Sequence, residues 1–190
     1  MLLLVGLGNP GSNYTNTRHN IGFKIIDAIN EHFKLSKQKP KFKGLLTTGN
    51  IESKKIYAIK PLTFMNNSGT AIKELIDYFK IDAKDVFVFH DDMDIDFGKI
   101  KTKFGGSSAG HNGIESIDKF IGKDYSRVRV GIGHPKQKKK VNNHVLEDFK
   151  DDEEEKIKEI TENIVKLIPT LIEKKIDLFS SKVNQNLNGI

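Results

Sequence analysis

The sequence LLLVGLGNPG, residues 2–11, is a short apolar run that ends abruptly in glycine, asparagine and proline. A near-continuous apolar run of this length is typical of a β-strand that is covered on both faces. The polar stretch that follows extends to Asn20 before a helical pattern begins. The sequence therefore predicts a buried strand that carries a polar segment to one edge of a sheet.

Similar runs recur along the chain and predict further strands at residues 56–59, 86–89 and 128–132. Residues 99–104 differ because apolar and polar side chains alternate strictly, with three lysines on one face. Such alternation is typical of a half-exposed strand at an edge, or of an antiparallel one.

Helical spacing of apolar residues separates these strands, at residues 25–33, 72–79, 114–121 and 157–168. We expect Pro169 to end or kink the last of these helices. Strands that alternate with helices over one core predict an α/β fold: a single-domain, three-layer α/β/α arrangement with a twisted, mostly parallel mixed sheet.

The length of 190 residues favours one domain, residues 1–190, with C-terminal helices in residues 151–190 packed on it. The chain has no cysteine, which excludes disulfides, thiolate catalysis and cysteine-ligated metal centres. The opening apolar run is too short to span a membrane and lacks the features of a signal peptide. We therefore expect a cytoplasmic protein with no membrane partner.

The net charge of +6 is unevenly distributed. Residues 1–150 carry 25 Lys and Arg against 16 Asp and Glu, whereas residues 151–190 carry 6 against 9. A basic body favours a polyanionic partner such as RNA. Because 28 of the 31 cations are lysine, a compositional bias explains the charge equally well.

Each predicted central strand leads into a polar segment: residues 6–20, 60–69, 90–94 and 133–140. In open α/β sheets, ligands bind in the crevice at the carboxyl ends of the strands. We therefore expect these segments to form one composite site.

Histidines and carboxylates in these segments favour acid–base chemistry. A histidine acts as a general base when a carboxylate fixes its tautomer and stabilises the imidazolium, and Asp91, Asp92 and Asp94 are candidates for that role. The candidate bases are His19, His90, His111 and His134, whereas His32 and His144 are interpreted as structural.

Asparagine amides can stabilise a carbonyl oxygen as it becomes negative. Together with a base and an orienting acid, they suit hydrolysis of an ester or an amide. Any one of them could equally be a local turn former. The candidates are Asn9, Asn20, Asn66, Asn67 and Asn112.

Three other interpretations remain open on the sequence alone. Residues 6–11 match the G-x-G-x-x-G dinucleotide fingerprint, although the helix begins too late. Residues 106–110 match the G-x-S-x-G nucleophile elbow around Ser108, with Asp118 or Asp124 and His134 or His144 as triad partners. The histidines and Asp91 could ligate a metal, but their spacing matches no established metal motif. No metal and no cofactor are predicted.

Five segments together resemble the bacterial-type peptidyl-tRNA hydrolase family. They are GLGNPG with TRHN, P-x-TFMN-x-SG at 61–69, HDDMD at 90–94, GG-x-x-x-GHNG at 105–113 and RVGIGHP at 129–135. The resemblance covers residues 2–150 in order and spacing. It implies a monomeric, metal-free esterase that cleaves the bond between a peptide, or an N-blocked aminoacyl group, and the 3′-terminal ribose of tRNA, so that the tRNA returns to translation.

The resemblance also implies roles for single residues. His19 is the general base that activates water, and Asp91 holds it in its basic form. Asn66 and Asn112 hold the acyl end and the water, and Asn9 distinguishes blocked from unblocked aminoacyl ends. The implied contacts to the acceptor stem and CCA end are Tyr14 and Phe64, with Met65 in the same wall.

Contacts to RNA phosphates are expected from Lys101, Lys103, Arg129 and the lysine-rich run at 136–140, whereas residues 34–43 are interpreted as a solvated loop. The chain departs from the family pattern at Ala109, where glycine is usual, and at Met93, where leucine is common. A non-catalytic RNA-binding module remains the rival hypothesis. It explains the charge, but not His19, Asp91 and the asparagines together.

Overall fold

The computed structural model describes residues 1–135 and 141–189, and the sheet is built around the strand at the N-terminus. The lysine-rich run at 136–140 lies outside the described residues. The strands are β1 (Leu2–Gly6), β2 (Lys39–Lys41), β3 (Gly44–Ile51), β4 (Lys54–Pro61), β5 (Val86–Asp92), β6 (Ile100–Phe104) and β7 (Ser126–Gly131).

Six α-helices lie between and after these strands in the described part of the chain. Three of them follow β1, β4 and β6 along the chain and return it to the sheet. The helices are α1 (Ile21–His32), α2 (Ser68–Phe79), α3 (Asn112–Ile121), α4 (Val141–His144), α5 (Asp151–Ile172) and α6 (Ile176–Leu187). None of the helices in the described ranges is both long enough and apolar enough to cross a bilayer.

The sheet is mixed, with strand order β2-β3-β4-β1-β5-β7-β6. The four central strands β4, β1, β5 and β7 are parallel, while β3 and β6 are antiparallel to their neighbours. Because β2 is antiparallel to β3, five of the seven described strands run in the same direction. The expected mostly parallel mixed sheet is confirmed.

Two hydrophobic clusters cover the two faces of the sheet, as the period-2 geometry of β1 requires. Leu2 and Leu4 belong to the cluster with α1, α5 and α6, whereas Leu3 and Val5 belong to the cluster with α2 and α3. All four of these β1 side chains are buried. At about 1.5–3 kcal/mol for each side chain removed from water, this packing holds the three layers together.

The edge strand β6 confirms the prediction from its alternating pattern, because it pairs antiparallel with β7. Its outer backbone is covered by α6: the Asn184 amide donates to the carbonyl oxygen of Ile100 at 2.7 Å and accepts from its N–H at 2.9 Å. A side chain thus replaces a neighbouring strand at this edge, while Lys101 and Lys103 remain exposed.

Two expectations about the elements were wrong. Residues 34–43, interpreted as a loop, include the short strand β2, which pairs with β3. Of the two outcomes expected at Pro169, an end of the helix is wrong, because α5 continues past it to Ile172, whereas a kink stays a prediction. Ile168, Leu171 and Ile172 are buried against the sheet, and their packing outweighs the roughly 3 kcal/mol that proline costs inside a helix.

Candidate active site

A cavity of about 380 Å³ lies at the carboxyl ends of the central strands. Its walls come from the segments after β1 and β4, the end of β5, and the loop between β6 and α3. The predicted composite site is therefore present. Residues 108–112 form a wall that was not expected, and residues 133–135, the described part of the segment after β7, do not line the cavity. The lining residues are Asn9, His19, Phe64, Met65, Asn66, Asp91, Asp92, Met93, Asp94, Ser108, Ala109, Gly110, His111, Asn112, Val145 and Leu146.

The segment after β1 reaches the cavity because β1 packs closely on α1. A Cβ atom on Gly6 would clash with the carbonyl oxygen of Gly22. The strand and the helix can therefore approach this closely only because both positions are glycine. Two single-turn helices at Ser12–Tyr14 and Arg18–Asn20 then fold the polar stretch back over the strand ends. His19 lies on the second of these turns, at the cavity wall.

A buried hydrogen-bonded pair joins His19 to Asp91 at the floor of the cavity. Nδ1 of His19 lies 2.8 and 2.9 Å from the two carboxylate oxygens of Asp91, which is near the end of β5. His19 is 7% exposed and Asp91 is 2% exposed. Since Nδ1 donates to the carboxylate, Nε2 is the nitrogen of His19 that remains for chemistry in the cavity.

The electrostatics favour a basic imidazole. Burial lowers the pKa of His19, but the charge of Asp91 and its hydrogen bond raise it, and the net pKa lies above its usual value of 6.5. Burial raises the pKa of Asp91, because it disfavours the charged carboxylate. The neighbouring His19 and His111 nevertheless hold this pKa well below its usual range. Asp91 is therefore ionised at neutral pH and stabilises an imidazolium at His19.

A second histidine contacts the same carboxylate. Nε2 of His111 lies 3.0 Å from Oδ1 of Asp91, and Nδ1 of His111 accepts from the backbone N–H groups of Gly113 and Ile114 at 3.1 and 3.3 Å. A nitrogen that accepts these bonds carries no proton, so Nε2 holds the proton and donates it to Asp91. His111 thus caps α3 and anchors Asp91 at once.

In the described part of the chain, His19, Asp91 and His111 are the side chains close enough together to hold a metal ion. Their present bonds do not suit that use. A ligating nitrogen must offer a lone pair, whereas the ring of His111 has its proton fixed on the nitrogen that faces Asp91. The hydrogen-bond pattern of the site fits a histidine–carboxylate–histidine network.

Asn9 is held rigidly by two other segments. Its backbone exchanges two hydrogen bonds of 2.9 Å with the side chain of Asn20, and its own Oδ1 accepts from the N–H of Met65 at 2.8 Å. These bonds fix the orientation of the amide and leave its NH₂ group as the donor on the cavity side. Asn20, a candidate for the reaction itself, instead supports Asn9.

The remaining walls combine exposed amides with an apolar surface. Asn66 and Asn112 are exposed residues of the cavity wall. Phe64 is 60% exposed beside the buried Met65. An exposed phenyl ring next to polar donors is an arrangement that can stack on a base.

The other predicted RNA contacts lie away from this cavity. Tyr14 is half-buried on the first turn after β1 and is not part of the cavity wall. Lys101 is exposed on β6, while Lys103 and Arg129 line a second cavity of about 120 Å³ behind the 105–110 loop. Nε of Arg129 donates to Asp92 at 2.7 Å, so this side chain is partly committed to an internal ion pair.

The nucleophile-elbow interpretation is not supported by the geometry. Ser108 follows the antiparallel edge strand β6, whereas an elbow requires a buried parallel strand. His134 pairs with Asp94 at 2.9 Å, and Nε2 of His144 lies 3.2 Å from the carbonyl oxygen of Ile132. Among the described residues, no histidine side chain forms a hydrogen bond with the hydroxyl of Ser108, so the triad is not assembled.

The dinucleotide fingerprint is equally unsupported. The helix α1 begins at Ile21, ten residues after the last glycine of the motif, so its N-terminus does not face the glycine turn as pyrophosphate binding requires.

The sequence did not reveal that the segment at 144–149 contacts the residues around His19 and forms part of the cavity wall. The backbone N–H of His19 donates to the carbonyl oxygen of Val145 at 2.8 Å, and Arg18 bonds Glu147 and Glu153 through its buried guanidinium. Val145 and Leu146 thereby close one side of the cavity. The one sequence signal of this contact was the arginine at position 18, since the chain uses lysine for 28 of its 31 cations.

Comparisons with known proteins agree on one family. A family model described as peptidyl-tRNA hydrolase matches residues 3–189. The peptidyl-tRNA hydrolase of Pelagibacter ubique (strain HTCC1062) is 71% identical over 184 residues, which cover 97% of this chain and 99% of that protein. That of Ehrlichia canis (strain Jake) is 46% identical over 185 residues, which cover 97% of this chain and 95% of that protein.

Solved structures give the same result. The crystal structure of peptidyl-tRNA hydrolase from Acinetobacter baumannii is similar with a TM-score of 0.90 and 34% sequence identity, and the match covers 97% of this chain and 94% of that chain. Fold and sequence thus agree over nearly the whole length. The chain therefore belongs to the peptidyl-tRNA hydrolase family, and it is a hydrolase of peptidyl-tRNA.

Proposed function

We propose that His19 is the general base of this hydrolase and that it activates the water that attacks the ester carbonyl. The observation that carries the proposal is the contact of His19 Nδ1 with both carboxylate oxygens of Asp91, in the cavity at the carboxyl ends of the central strands. With Nδ1 occupied, Nε2 takes the proton from water. Asp91 then stabilises the imidazolium that forms.

The leaving group is the ribose oxygen at the 3′ end of the tRNA. Hydroxide adds to the carbonyl carbon, the carbonyl oxygen becomes negative, and the C–O bond to ribose breaks as the tetrahedral intermediate collapses. The proton held on His19 then passes to the ribose oxygen. The side-chain amides of Asn66 and Asn112 are exposed on the cavity wall, where they can donate to the oxyanion and position the water.

Asn9 distinguishes blocked from unblocked aminoacyl ends in this proposal. Its Oδ1 is occupied by the N–H of Met65, so its NH₂ group faces the substrate as a donor. The carbonyl oxygen of a peptide or an N-acyl group accepts from such a donor. A free ammonium group has no acceptor to offer, so an unblocked aminoacyl-tRNA loses this bond.

The 3′-terminal nucleotides of the CCA end lie against Phe64 and Met65, whose apolar surface adjoins the amides. Tyr14 contacts the same end of the tRNA from the first turn after β1. The acceptor-stem phosphates meet Lys101, Lys103 and the free edge of Arg129, on the side of the molecule where β6 is exposed.

In this proposal, residues 1–190 act as one monomeric catalytic domain in the cytoplasm, where peptidyl-tRNA is made, and need no metal or other cofactor. Residues 151–190 support the site from behind. Helix α5 contributes Glu153, which pairs with Arg18 at 2.7 Å, next to the general base.

Release of tRNA from two matched substrates tests the proposal. The protein is incubated with an N-acetyl-aminoacyl-tRNA and, in parallel, with the same aminoacyl-tRNA unblocked. We expect rapid release of free tRNA and N-acetyl-amino acid from the first and little release from the second. Equal cleavage of both would contradict the role of Asn9, and binding without cleavage of either would favour the non-catalytic RNA-binding module.

A further inference from the structure

Arg127 on β7 is a buried charge that the proposed reaction does not use. Its side chain is 3% exposed. The guanidinium carbon lies over the ring of Tyr125, 4.8 Å from the ring centroid. The carboxylate of Asp118 on α3 accepts from Nη2 of Arg127 at 2.8 Å and from the hydroxyl of Tyr125 at 2.7 Å. The charge is therefore neutralised inside the protein.

The same guanidinium binds the loop that forms one wall of the catalytic cavity. Nη1 of Arg127 donates to the carbonyl oxygen of Ser107 at 2.7 Å, and Nη2 donates to that of Gly106 at 3.1 Å. Two consecutive carbonyl groups thus point inward at one side chain. A planar fork of donors suits this arrangement, whereas a single ammonium cannot span the two carbonyls in the same way.

The loop has an unusual backbone that needs such support. Gly105 and Gly106 have φ values of 67° and 96°, and Ala109 and Gly110 have values of 48° and 78°. Ala109 stands where the resembled family usually has glycine, and a side chain in the left-handed region costs about 1–2 kcal/mol. Within the loop, the N–H of Ala109 donates to Oγ of Ser107 at 3.2 Å, and Arg127 adds two bonds from outside it.

The fixed loop delivers two residues to the site. The N–H of His111 donates to the carbonyl oxygen of Ser108 at 2.9 Å, one residue beyond the carbonyls that Arg127 binds. His111 then donates to Asp91 at 3.0 Å, and Asn112 begins α3 at the cavity wall. Hydrogen bonds and one step of covalent backbone, from Ser107 to Ser108, thus link Arg127 to the carboxylate that holds His19.

We propose that Arg127 is a positioning residue for the hydrolysis, which acts by fixing the 105–110 loop so that His111 and Asn112 keep their places beside Asp91. The proposal rests on the proposed function of His19 and Asp91. Arg127 does not contact the RNA, since its side chain is buried and its charge is paired with Asp118.

The test combines kinetics with nitrogen NMR of the histidine rings. Arg127→Met keeps an unbranched apolar stem but removes all donors to the loop. We expect kcat on N-acetyl-aminoacyl-tRNA to fall by about tenfold to 100-fold, the loss typical of misplaced catalytic groups, with KM nearly unchanged. In ¹⁵N-histidine-labelled protein, the His111 ring of the wild type has its proton fixed on Nε2, and the variant should lose this fixed tautomer.

Tyr125→Phe is the matched control. It removes one hydrogen bond to Asp118 but leaves both bonds from Arg127 to the loop. We expect kcat and the His111 spectrum of this variant to remain those of the wild type. If Arg127→Met does not fold, Arg127→Lys replaces it, because it keeps a charge beside Asp118. An intermediate kcat and a partly averaged His111 tautomer are then expected.

Either a wild-type kcat or an unchanged His111 spectrum in a folded Arg127 variant would overturn the proposal. A raised KM with unchanged kcat would overturn it as well, because Arg127 would then act in binding the RNA. The histidine spectrum does not depend on which group is the base. A failure of His19 as the base would therefore be seen separately, as activity that persists in His19→Ala.

Discussion

Both carboxylate oxygens of Asp91 lie within hydrogen-bond distance of Nδ1 of His19, at 2.8 and 2.9 Å. The Oδ1 atom also accepts from His111 at 3.0 Å, so one buried negative charge holds two imidazole rings. Burial opposes protonation of His19, and the carboxylate favours it more strongly. The balance between these two effects sets the pH range in which the base is active.

Replacing Asp91 by asparagine should shift that range. A base works when it is deprotonated, so in the wild type kcat/KM falls as the pH drops through the pKa of His19, which lies above 6.5. In Asp91→Asn the raising influence is gone and burial alone lowers this pKa. The acid limb of the pH profile should therefore move to lower pH, while the maximum falls at least about tenfold because the imidazolium loses its partner.

Asp94→Asn is the control for that measurement. Asp94 belongs to the same cavity wall but pairs with His134, and both side chains are more than half exposed. Its pH profile should match the wild type. Equal displacement of the acid limb in both variants would mean that general cavity charge, and not the contact with His19, sets the pKa.

Ser108→Ala should retain nearly full activity on N-acetyl-aminoacyl-tRNA. Ser108 lines the cavity, but its candidate partners His134 and His144 are bonded to Asp94 and to the carbonyl oxygen of Ile132. A steady-state kcat measurement decides the matter. Complete loss of activity, with a hydroxylamine-trapped acyl group in the wild type, would restore the serine nucleophile.

Chelation should not inhibit the enzyme. The ring proton of His111 is fixed on the nitrogen that faces Asp91, because its other nitrogen accepts backbone N–H groups. Initial rates before and after dialysis against EDTA test this expectation. Inhibition that added Zn²⁺ reverses, while Mg²⁺ does not, would show that the histidine–carboxylate group binds a metal.

Reversal of charge at Lys103 should affect tRNA binding more than chemistry. Lys103 is exposed on β6, and cations that meet phosphates release counterions and make binding depend on salt. In Lys103→Glu the KM for the tRNA ester should rise and its salt dependence should flatten. The kcat should change little, since a distant phosphate contact binds ground and transition states alike.

Two controls separate this effect from the general charge of the protein. Lys37→Glu makes the same charge change at an exposed position before β2 and should leave KM nearly unchanged. An N-blocked aminoacyl ester of a short CCA oligonucleotide lacks the distant phosphates and should be cleaved by Lys103→Glu as by the wild type. An equal loss of kcat on both substrates would place Lys103 in the catalytic centre.

The sequence predicted the central strands well because each is a continuous apolar run, as in β1 and β5. It missed β3 because Thr47, Thr48, Gly49 and Asn50 interrupt any apolar pattern, and this strand forms through its pairing with β4. The path of α5 past Pro169 depends on the buried face of Leu171 and Ile172, which local propensity does not describe.

Residues of the site were predictable where the chemistry is local and not where it depends on distant contacts. His19 and Asp91 stand in recognisable segments, whereas the bond from Arg18 to Glu153 joins positions 135 residues apart. All three arginines of this lysine-rich chain bind acceptors inside the protein: Arg18 bonds Glu147 and Glu153, Arg127 bonds two loop carbonyls and Asp118, and Arg129 bonds Asp92. The choice of arginine was therefore the one sequence signal of these contacts.

The central claim is that His19 is the base, and single-turnover cleavage by His19→Ala tests it most directly. With enzyme in excess over N-acetyl-aminoacyl-tRNA, the rate constant should fall by about 10²–10⁴-fold, the usual contribution of a general base. The Kd for the tRNA and the Tm should be nearly those of the wild type, and His32→Ala, which changes an exposed histidine at the end of α1, should be fully active. Near-normal single-turnover cleavage by His19→Ala would contradict the account.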